Sequence, residues 1–521
     1  MKISRIAGVT LPLFSIRTQR DWGIGEIPDL PACAAWLRRA GQRLVQLLPP
    51  HELSEGETSP YGARTAFGLD PIYIGVHAVT DLDPASLSNA LGAEGEAELA
   101  RLRALPGVDY SGVRKLKFRV LRVAFDRFKA QEWNRKTPRA QALAAFIEKE
   151  KGWLDDLALY TALRESHNGY GWETWPEDER ERIPQALQQV RKASADRILE
   201  VAYLQWILIE QWEQARAELA KLQVAIMGDL PFVVCPESAD VWSRPGQFHR
   251  ALSLGAPPDW FAPDGQDWGL PPYNWLAMEC DNFAWVRART AFACRLYDCF
   301  RLDHVIGYFR QWVRSRLEWR GRFDPEDLEA QRALGLRVLG TMVCEAAKFP
   351  IGPTDSRIIA EDLGVIPPFA RISLTELEVP GYRVIPWEQD EDKVFRDPSK
   401  FPTLSVACYS THDTAPITAW WDDFTDDERA QLSKMADIKE DASERERTLA
   451  LLRLLYESTS DTTLVLAQEL LGERCRINLP GTVGENNWTY RLPSTIEVLA
   501  SDDVVASRFE EVRVLVEANG R

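Results

Sequence analysis

Four acidic residues in this chain occupy the same kind of position. Asp229, Asp303, Glu361 and Asp413 each follow a short apolar stretch: Val224–Met227, Phe300–Leu302, Ile358–Ala360 and Leu404–Tyr409. Stretches of that length, bounded by polar or turn residues, read as buried strands. One acid at a strand end commonly caps a helix or closes a turn. Four in equivalent places, with helical text between them, instead suggest acids gathered at one site. Arg301 stands two residues before Asp303 and so shares its face of an extended chain. A guanidinium there would hold the Asp303 carboxylate ionised at neutral pH, as a nucleophilic carboxylate requires.

Clustered carboxylates serve two chemistries. Acids can ligate Mg²⁺ or Ca²⁺ for metal-dependent hydrolysis. Alternatively, one ionised and one protonated carboxyl about 5 Å apart can exchange a sugar with retention at its anomeric carbon. Arg301 beside Asp303 already supplies the neutralising charge and favours the second. Nineteen tryptophans lean the same way, because indole rings stack on the apolar faces of sugars.

Composition narrows the partners. The chain has 521 residues, 45% of them hydrophobic, and a net charge of −16 with no Lys/Arg run. That argues against nucleic acid or an anionic membrane as a partner. Eight scattered cysteines without a CxxC pair fit the reduced thiols of a cytoplasmic protein. The short apolar run up to Ile16 is broken by Pro12, no small-residue cleavage site follows, and no stretch is suited to span a membrane.

The elements that must position these acids follow from periodicity. Strands are expected at Gly8–Leu13, Leu44–Leu48, Asp70–Ile74, Val224–Leu230, Phe300–Val305, Arg357–Ala360, Gly381–Trp387 and Leu404–Thr411. The glycines of Gly23-Ile24-Gly25 are no dinucleotide fingerprint, lacking the third glycine. Residues 80–222 read as helix-rich, which fits an insertion into a barrel or a separate helical domain. Further helices are expected at Phe283–Phe300, Leu328–Lys348, Asp426–Met435, Ser443–Leu471 and Thr495–Leu499. Residues 255–275 read as a long loop without structure of its own, loaded with Trp260, Phe261, Trp268, Tyr273 and Trp275; such loops are usually functional. Strands alternating with helices indicate an α/β protein, a (β/α)8 TIM barrel with helix-rich insertions spanning residues 1–521 as one catalytic unit. The C-terminal strand ends of such a barrel converge on one face, where catalysis sits.

Seven segments together carry a resemblance. They are Ser59-Pro60-Tyr61, Gly228–Pro231, Pro257-Pro258-Asp259 with Gly265–Gly269, Arg301–His304, Ala360–Gly364, Thr411-His412-Asp413 and Asn478–Thr482. In this order the chain resembles the 4-α-glucanotransferases of glycoside hydrolase family 77, in the α-amylase clan. The resemblance implies Asp303 as nucleophile, Glu361 as general acid and then base, and Asp413 as the carboxylate that binds hydroxyls of the distorted sugar. It implies that Arg301 orients Asp303, that Asp229 and His412 bind the same sugar ring, and that Tyr61 stacks on it. Trp260, Phe261, Gln266 and Trp268 would form a lid, with His304 supporting the site. Maltooligosaccharides and α-1,4-glucans would be the substrates, with no cofactor or metal. Two departures stand out: Gly269-Leu270-Pro271 where many members have Gly-Asn-Pro, and Val305-Ile306 in place of Phe-Arg. A mainly hydrolytic α-glucan enzyme would share every catalytic residue, and a silent glucan-binding protein should have lost one of the acids.

Overall fold

In the computed structural model, described for residues 5–258, 264–315, 321–350, 357–482, 484 and 486–521, eight parallel strands close into a barrel. In chain order they are β1 (Ile6–Thr10), β2 (Leu44–Gln46), β3 (Ala225–Leu230), β4 (Cys299–Leu302), β5 (Ile358–Ala360), β6 (Gly381–Val384), β7 (Ser405–Cys408) and β8 (Thr462–Leu466). Each strand pairs with its neighbours in sequence, and β8 returns to β1 with Ile6 opposite Thr462. This is the (β/α)8 architecture the sequence predicts.

The period-two alternation of a strand decides what enters the barrel. Ile6, Leu44, Ala225, Met227, Cys299, Ile359, Tyr382, Val384, Val406, Cys408 and Leu464 pack together inside it. Their neighbours Ala7, Val45, Ile226, Phe300, Ala360, Ala407 and Val465 belong to the larger core outside, against the helices. Continuing the inward series toward the C-terminal ends gives Asp229 after Met227, Arg301 after Cys299 and Glu361 after Ile359. The apolar strands thus deliver charge only at their last turn.

Helix α1 (Leu30–Arg38) connects β1 to β2. Four longer helices lie between β2 and β3: α2 (Pro84–Ala104), α3 (Tyr110–Gln131), α4 (Pro138–Ser166) and α5 (Ala195–Lys221). Asp83, Asp109 and Thr137 cap the first three by accepting backbone N–H bonds.

Several expected elements take another form. Asp70–Ile74 is not a strand: Asp70 accepts the Ile72 N–H, and Pro71 opens a 3₁₀ turn over Pro71–Tyr73. The expected helix Ser443–Leu471 is interrupted. It runs over Glu444–Glu457, stops before Ser460-Asp461, and gives way to β8, whose Thr462, Thr463 and Val465 are β-branched. The expected helix Phe283–Phe300 ends at Leu296 so that β4 can begin. Beyond the expected helix Thr495–Leu499, found over Ile496–Leu499, a further helix covers Asp503–Ala518. Residues 255–275 also carry structure. Leu252–Ala256 pairs antiparallel with Gln266–Asp267 and with Gln311–Ser315, which pairs in turn with Gly321–Asp324.

Candidate active site

Arg301 organises the mouth of the barrel. It stands directly opposite Asp229 in the β3–β4 register, and its Nη1 donates to both Asp229 oxygens at 2.8 and 2.9 Å. Its Nη2 lies 2.9 Å from Asp303 Oδ1 and 3.7 Å from Glu361 Oε2. Arg301 is 6% exposed and Asp229 is fully buried, so this cation is shared by three acids in a poorly solvated place. Burial works against the guanidinium, but Asp229, Tyr61, Asp303 and Glu361 together raise its pKa well above the usual value.

The acids differ in environment. Burial pushes the Glu361 carboxyl up to about 8; Arg301 opposes the rise and the charge of Asp303 adds to it. Two backbone amides hold this carboxyl, His304 N–H on Oε2 at 2.7 Å and Leu363 N–H on Oε1 at 3.3 Å. His304 reaches it because its backbone is left-handed, φ 46°. A non-glycine residue in that region costs energy and tends to mark a functional site. Asp413 goes the other way. Burial would raise its pKa, yet His412 Nε2 at 3.3 Å from Oδ2 and the Asn478 amide at 2.7 Å from Oδ1 hold it well below the ordinary carboxylate range. Burial lowers the His412 pKa, but Asp413 overcomes this and leaves the imidazole above its usual value.

Tyr61 joins the two sides of the mouth. Its hydroxyl donates to Asp229 Oδ2 at 2.8 Å and lies 2.9 Å from His412 Nε2, while its ring stacks on His412 with centroids 5.6 Å apart. Asp303 Oδ2 also accepts a long bond, 3.4 Å, from the Phe232 N–H. Beneath lies a polar floor in which Thr10 donates to Gln46 at 2.7 Å and the Gln46 amide donates to Tyr382 at 3.2 Å.

A cavity of about 760 Å³ opens above these groups. Tyr61, Arg301, Asp303, Glu361 and Asp413 line one side, and Phe232, Val233, Trp268 and Leu270 form an apolar wall. His304 lies edge-on to Trp268 with centroids 4.9 Å apart and also contacts the Phe232 ring. Burial drives its pKa down to about 4, so its imidazole is neutral at physiological pH. The predicted residues Asp229, Arg301, Asp303, Glu361, His412, Asp413, Tyr61, His304 and Trp268 therefore come together. Gln266 stands apart: it is exposed, does not line the cavity, and accepts the Trp268 indole N–H at 3.0 Å. Trp260 and Phe261 lie outside the described residues. Tyr273 and Trp275, from the same aromatic stretch, are buried core. Among the described residues no group of His, Cys, Asp and Glu is arranged to hold a metal ion.

Some cavity and support residues were not singled out from the sequence. Trp387 is half exposed at the cavity rim, and Asn478 holds Asp413. Asn478 lies in a motif that was visible, Asn-Leu-Pro-Gly, but nothing local ties it to an acid 65 residues earlier.

A parallel barrel with paired carboxylates, a shared arginine and aromatic walls at its C-terminal mouth is the form of an enzyme acting on glycosidic bonds. Comparison with known proteins makes this specific. A family profile described as 4-alpha-glucanotransferase matches residues 11–496. A 4-alpha-glucanotransferase of Chlamydia pneumoniae is 31% identical over 510 residues, covering 95% of this chain and 92% of the relative. One of Thermus thermophilus is 30% identical over 472 residues, covering 88% and 89%. In fold, the chain superposes on an amylomaltase from Streptococcus agalactiae, solved in complex with acarbose, with a TM-score of 0.82 at 24% identity, covering 98% of this chain and 99% of that one. The chain belongs to the 4-alpha-glucanotransferase family, and glucan transfer is its activity.

Proposed function

We propose that the enzyme moves α-1,4-glucan segments between maltooligosaccharides by two displacements at the anomeric carbon, with Asp303 as nucleophile and Glu361 as acid, then base. In the first displacement an Asp303 oxygen bonds to the anomeric carbon as the glycosidic oxygen departs. That oxygen takes the Glu361 proton, so the released segment carries a new hydroxyl. In the second, the Glu361 carboxylate accepts the proton of an acceptor 4-hydroxyl, whose oxygen displaces Asp303. Two inversions give net retention.

One observation carries this reading. A single guanidinium nitrogen touches both Asp303 and Glu361, while burial keeps the Glu361 proton in place near neutral pH. Two oxygens at 2.9 and 3.7 Å from one atom are no further apart than the sum of those distances. That limit suits the roughly 5–5.5 Å of retaining pairs and reaches only the lower edge of the roughly 6.5–9.5 Å that inverting pairs need. Asp413, kept ionised by His412 and Asn478, is suited to accept hydrogen bonds from sugar hydroxyls. The Tyr61 ring offers a platform, with Asp229 behind it. The apolar wall of Phe232, Val233, Trp268 and Leu270 would keep water from the glucosyl-enzyme until an acceptor arrives, with Gln266 steadying the Trp268 indole.

We read the whole chain as one catalytic barrel with residues 80–222 as an insertion, and the cytoplasm as its setting. Buried thiols at Cys33, Cys294 and Cys408 support that setting. Among the described residues no helix is long and apolar enough to cross a membrane.

Trapping tests the mechanism. Glu361→Gln is given a maltosyl fluoride that lacks its non-reducing 4-hydroxyl. Fluoride leaves without an acid, the donor cannot serve as acceptor, and no base remains to discharge the intermediate. Peptide mass spectrometry should find the maltosyl adduct on the peptide carrying Asp303. An adduct on another acid, or none, contradicts the assignment.

A further inference from the structure

Trp488 holds a bulky side chain on a left-handed backbone, φ 63°, a conformation that costs energy and persists only where its surroundings enforce it. Two hydrogen bonds do so. Its N–H donates to the Ile477 carbonyl at 2.9 Å, and its carbonyl accepts the Tyr110 hydroxyl at 2.7 Å. Tyr110 is the first residue of α3. The neighbouring backbone is stitched to the α2–α3 connection as well: Val108 N–H donates to the Thr489 carbonyl at 2.9 Å, and Gly107 bridges Tyr490.

This anchoring carries the indole, 8% exposed, against two residues of the active site. Its centroid lies 5.7 Å from that of Tyr61 and 6.0 Å from that of His412. Since Tyr61 and His412 also stack on each other, the three rings form a closed triangle. The Tyr61 hydroxyl and the His412 Nε2 are engaged toward Asp229 and Asp413, while Trp488 packs at a tilt on both rings. Asn478, in the same loop, holds the other oxygen of Asp413.

We propose that Trp488 is a positioning residue for transfer: its indole, fixed by the strained backbone and by Tyr110 from α3, sets the rings of Tyr61 and His412, and through His412 the Asp413 carboxylate, in the geometry that meets the sugar. This rests on the reading of Tyr61, His412 and Asp413 as sugar contacts. Trp488 touches no reacting atom. The α2–α3 region, outside the barrel, thereby acts on catalysis through one hydroxyl and one indole.

The test measures kcat and KM separately for maltotriose disproportionation in Trp488→Ala, Trp488→Phe and Tyr110→Phe, with circular dichroism establishing the folded fraction. Misplacing groups around a reacting centre by even about 1 Å can cost on the order of a hundredfold. Trp488→Ala should lose about ten- to a hundredfold in kcat with KM changed less than about threefold. Trp488→Phe, which restores a ring, should recover most of the loss, and Tyr110→Phe should lose a few-fold in kcat. Wild-type kcat in Trp488→Ala overturns the proposal. So does a loss that only follows the unfolded fraction, with Phe no better than Ala. Tyr61→Ala and His412→Asn separate the two readings. If they lose kcat while Trp488→Ala does not, only the positioning role is wrong. If they keep wild-type kcat, the sugar-contact reading fails and the proposal with it.

Discussion

Arg301 and Glu361, each one position from a strand end, show how residue types acquire their state from their surroundings. Arg301 was legible because two residues along a strand return to the same face, which put its guanidinium beside Asp303, as found at 2.9 Å. The state of Glu361 was not legible, because its proton affinity comes from burial and from a charge on another strand. That state makes both rate and stability fall as pH rises. In its proposed role as acid, Glu361 must be protonated, so kcat should fall as pH rises through its raised value, about 8. For stability, the folded protein keeps the Glu361 proton up to that pH, whereas an unfolded chain releases it near ~4.3. The contribution is complete below the unfolded value and is lost as pH rises through the folded one. Glu361→Gln escapes this loss. It should be inactive in transfer yet more stable than the wild type at pH 8.5 by about 1 kcal/mol or more. Denaturant midpoints would show the gap shrinking toward pH 4, and a variant less stable at every pH contradicts the burial argument.

At the scale of elements, close packing sets where the carboxylates emerge. Gly228 precedes Asp229 in β3, and a Cβ there would lie 2.2 Å from Tyr297 Cδ2. The Tyr297 ring is fully buried, so either the strand or the ring must move in Gly228→Ala. Overpacking of this kind costs about 1–3 kcal/mol. Because Asp229 follows directly, the bonds it shares with Arg301 and Tyr61 should also suffer and transfer should slow. Adding Tyr297→Leu should recover stability, read as the thermal midpoint. An unshifted midpoint in the single variant contradicts the packing account. Strands with an apolar run and an acid at the end were readable. Thr462–Leu466 was not, since leucines before and after it continue a helix-like pattern; its signals were the Ser460-Asp461 break and the β-branched residues after it. Asp70–Ile74 misled in the opposite sense: buried apolar residues suggested a strand, but Asp70 capping and Pro71 favour a turn.

Across the whole molecule, distant segments are fastened to the barrel by buried polar contacts that sequence spacing does not reveal. Lys117 of α3, fully buried, pairs with Glu26 at 2.5 Å in the loop after β1 and donates to the Ile74 carbonyl at 2.9 Å. Arg491 pairs with Asp21 in the same loop at 3.0 Å. Such ties fasten the helical region and the C-terminal loop to the loop after β1. The cavity they surround is lined by three acids and by the apolar Phe232, Val233, Trp268 and Leu270. In the proposed mechanism the apolar lining would favour transfer over hydrolysis, since the glucosyl-enzyme would wait in a site that admits a sugar hydroxyl and disfavours water. The most direct test is a product profile from maltotriose alone, sampled early and resolved by chain length, with total reducing ends counted. The account predicts a ladder of shorter and longer oligosaccharides, glucose among them, at a constant number of reducing ends. Reducing ends that rise steadily while only shortened products form would contradict it.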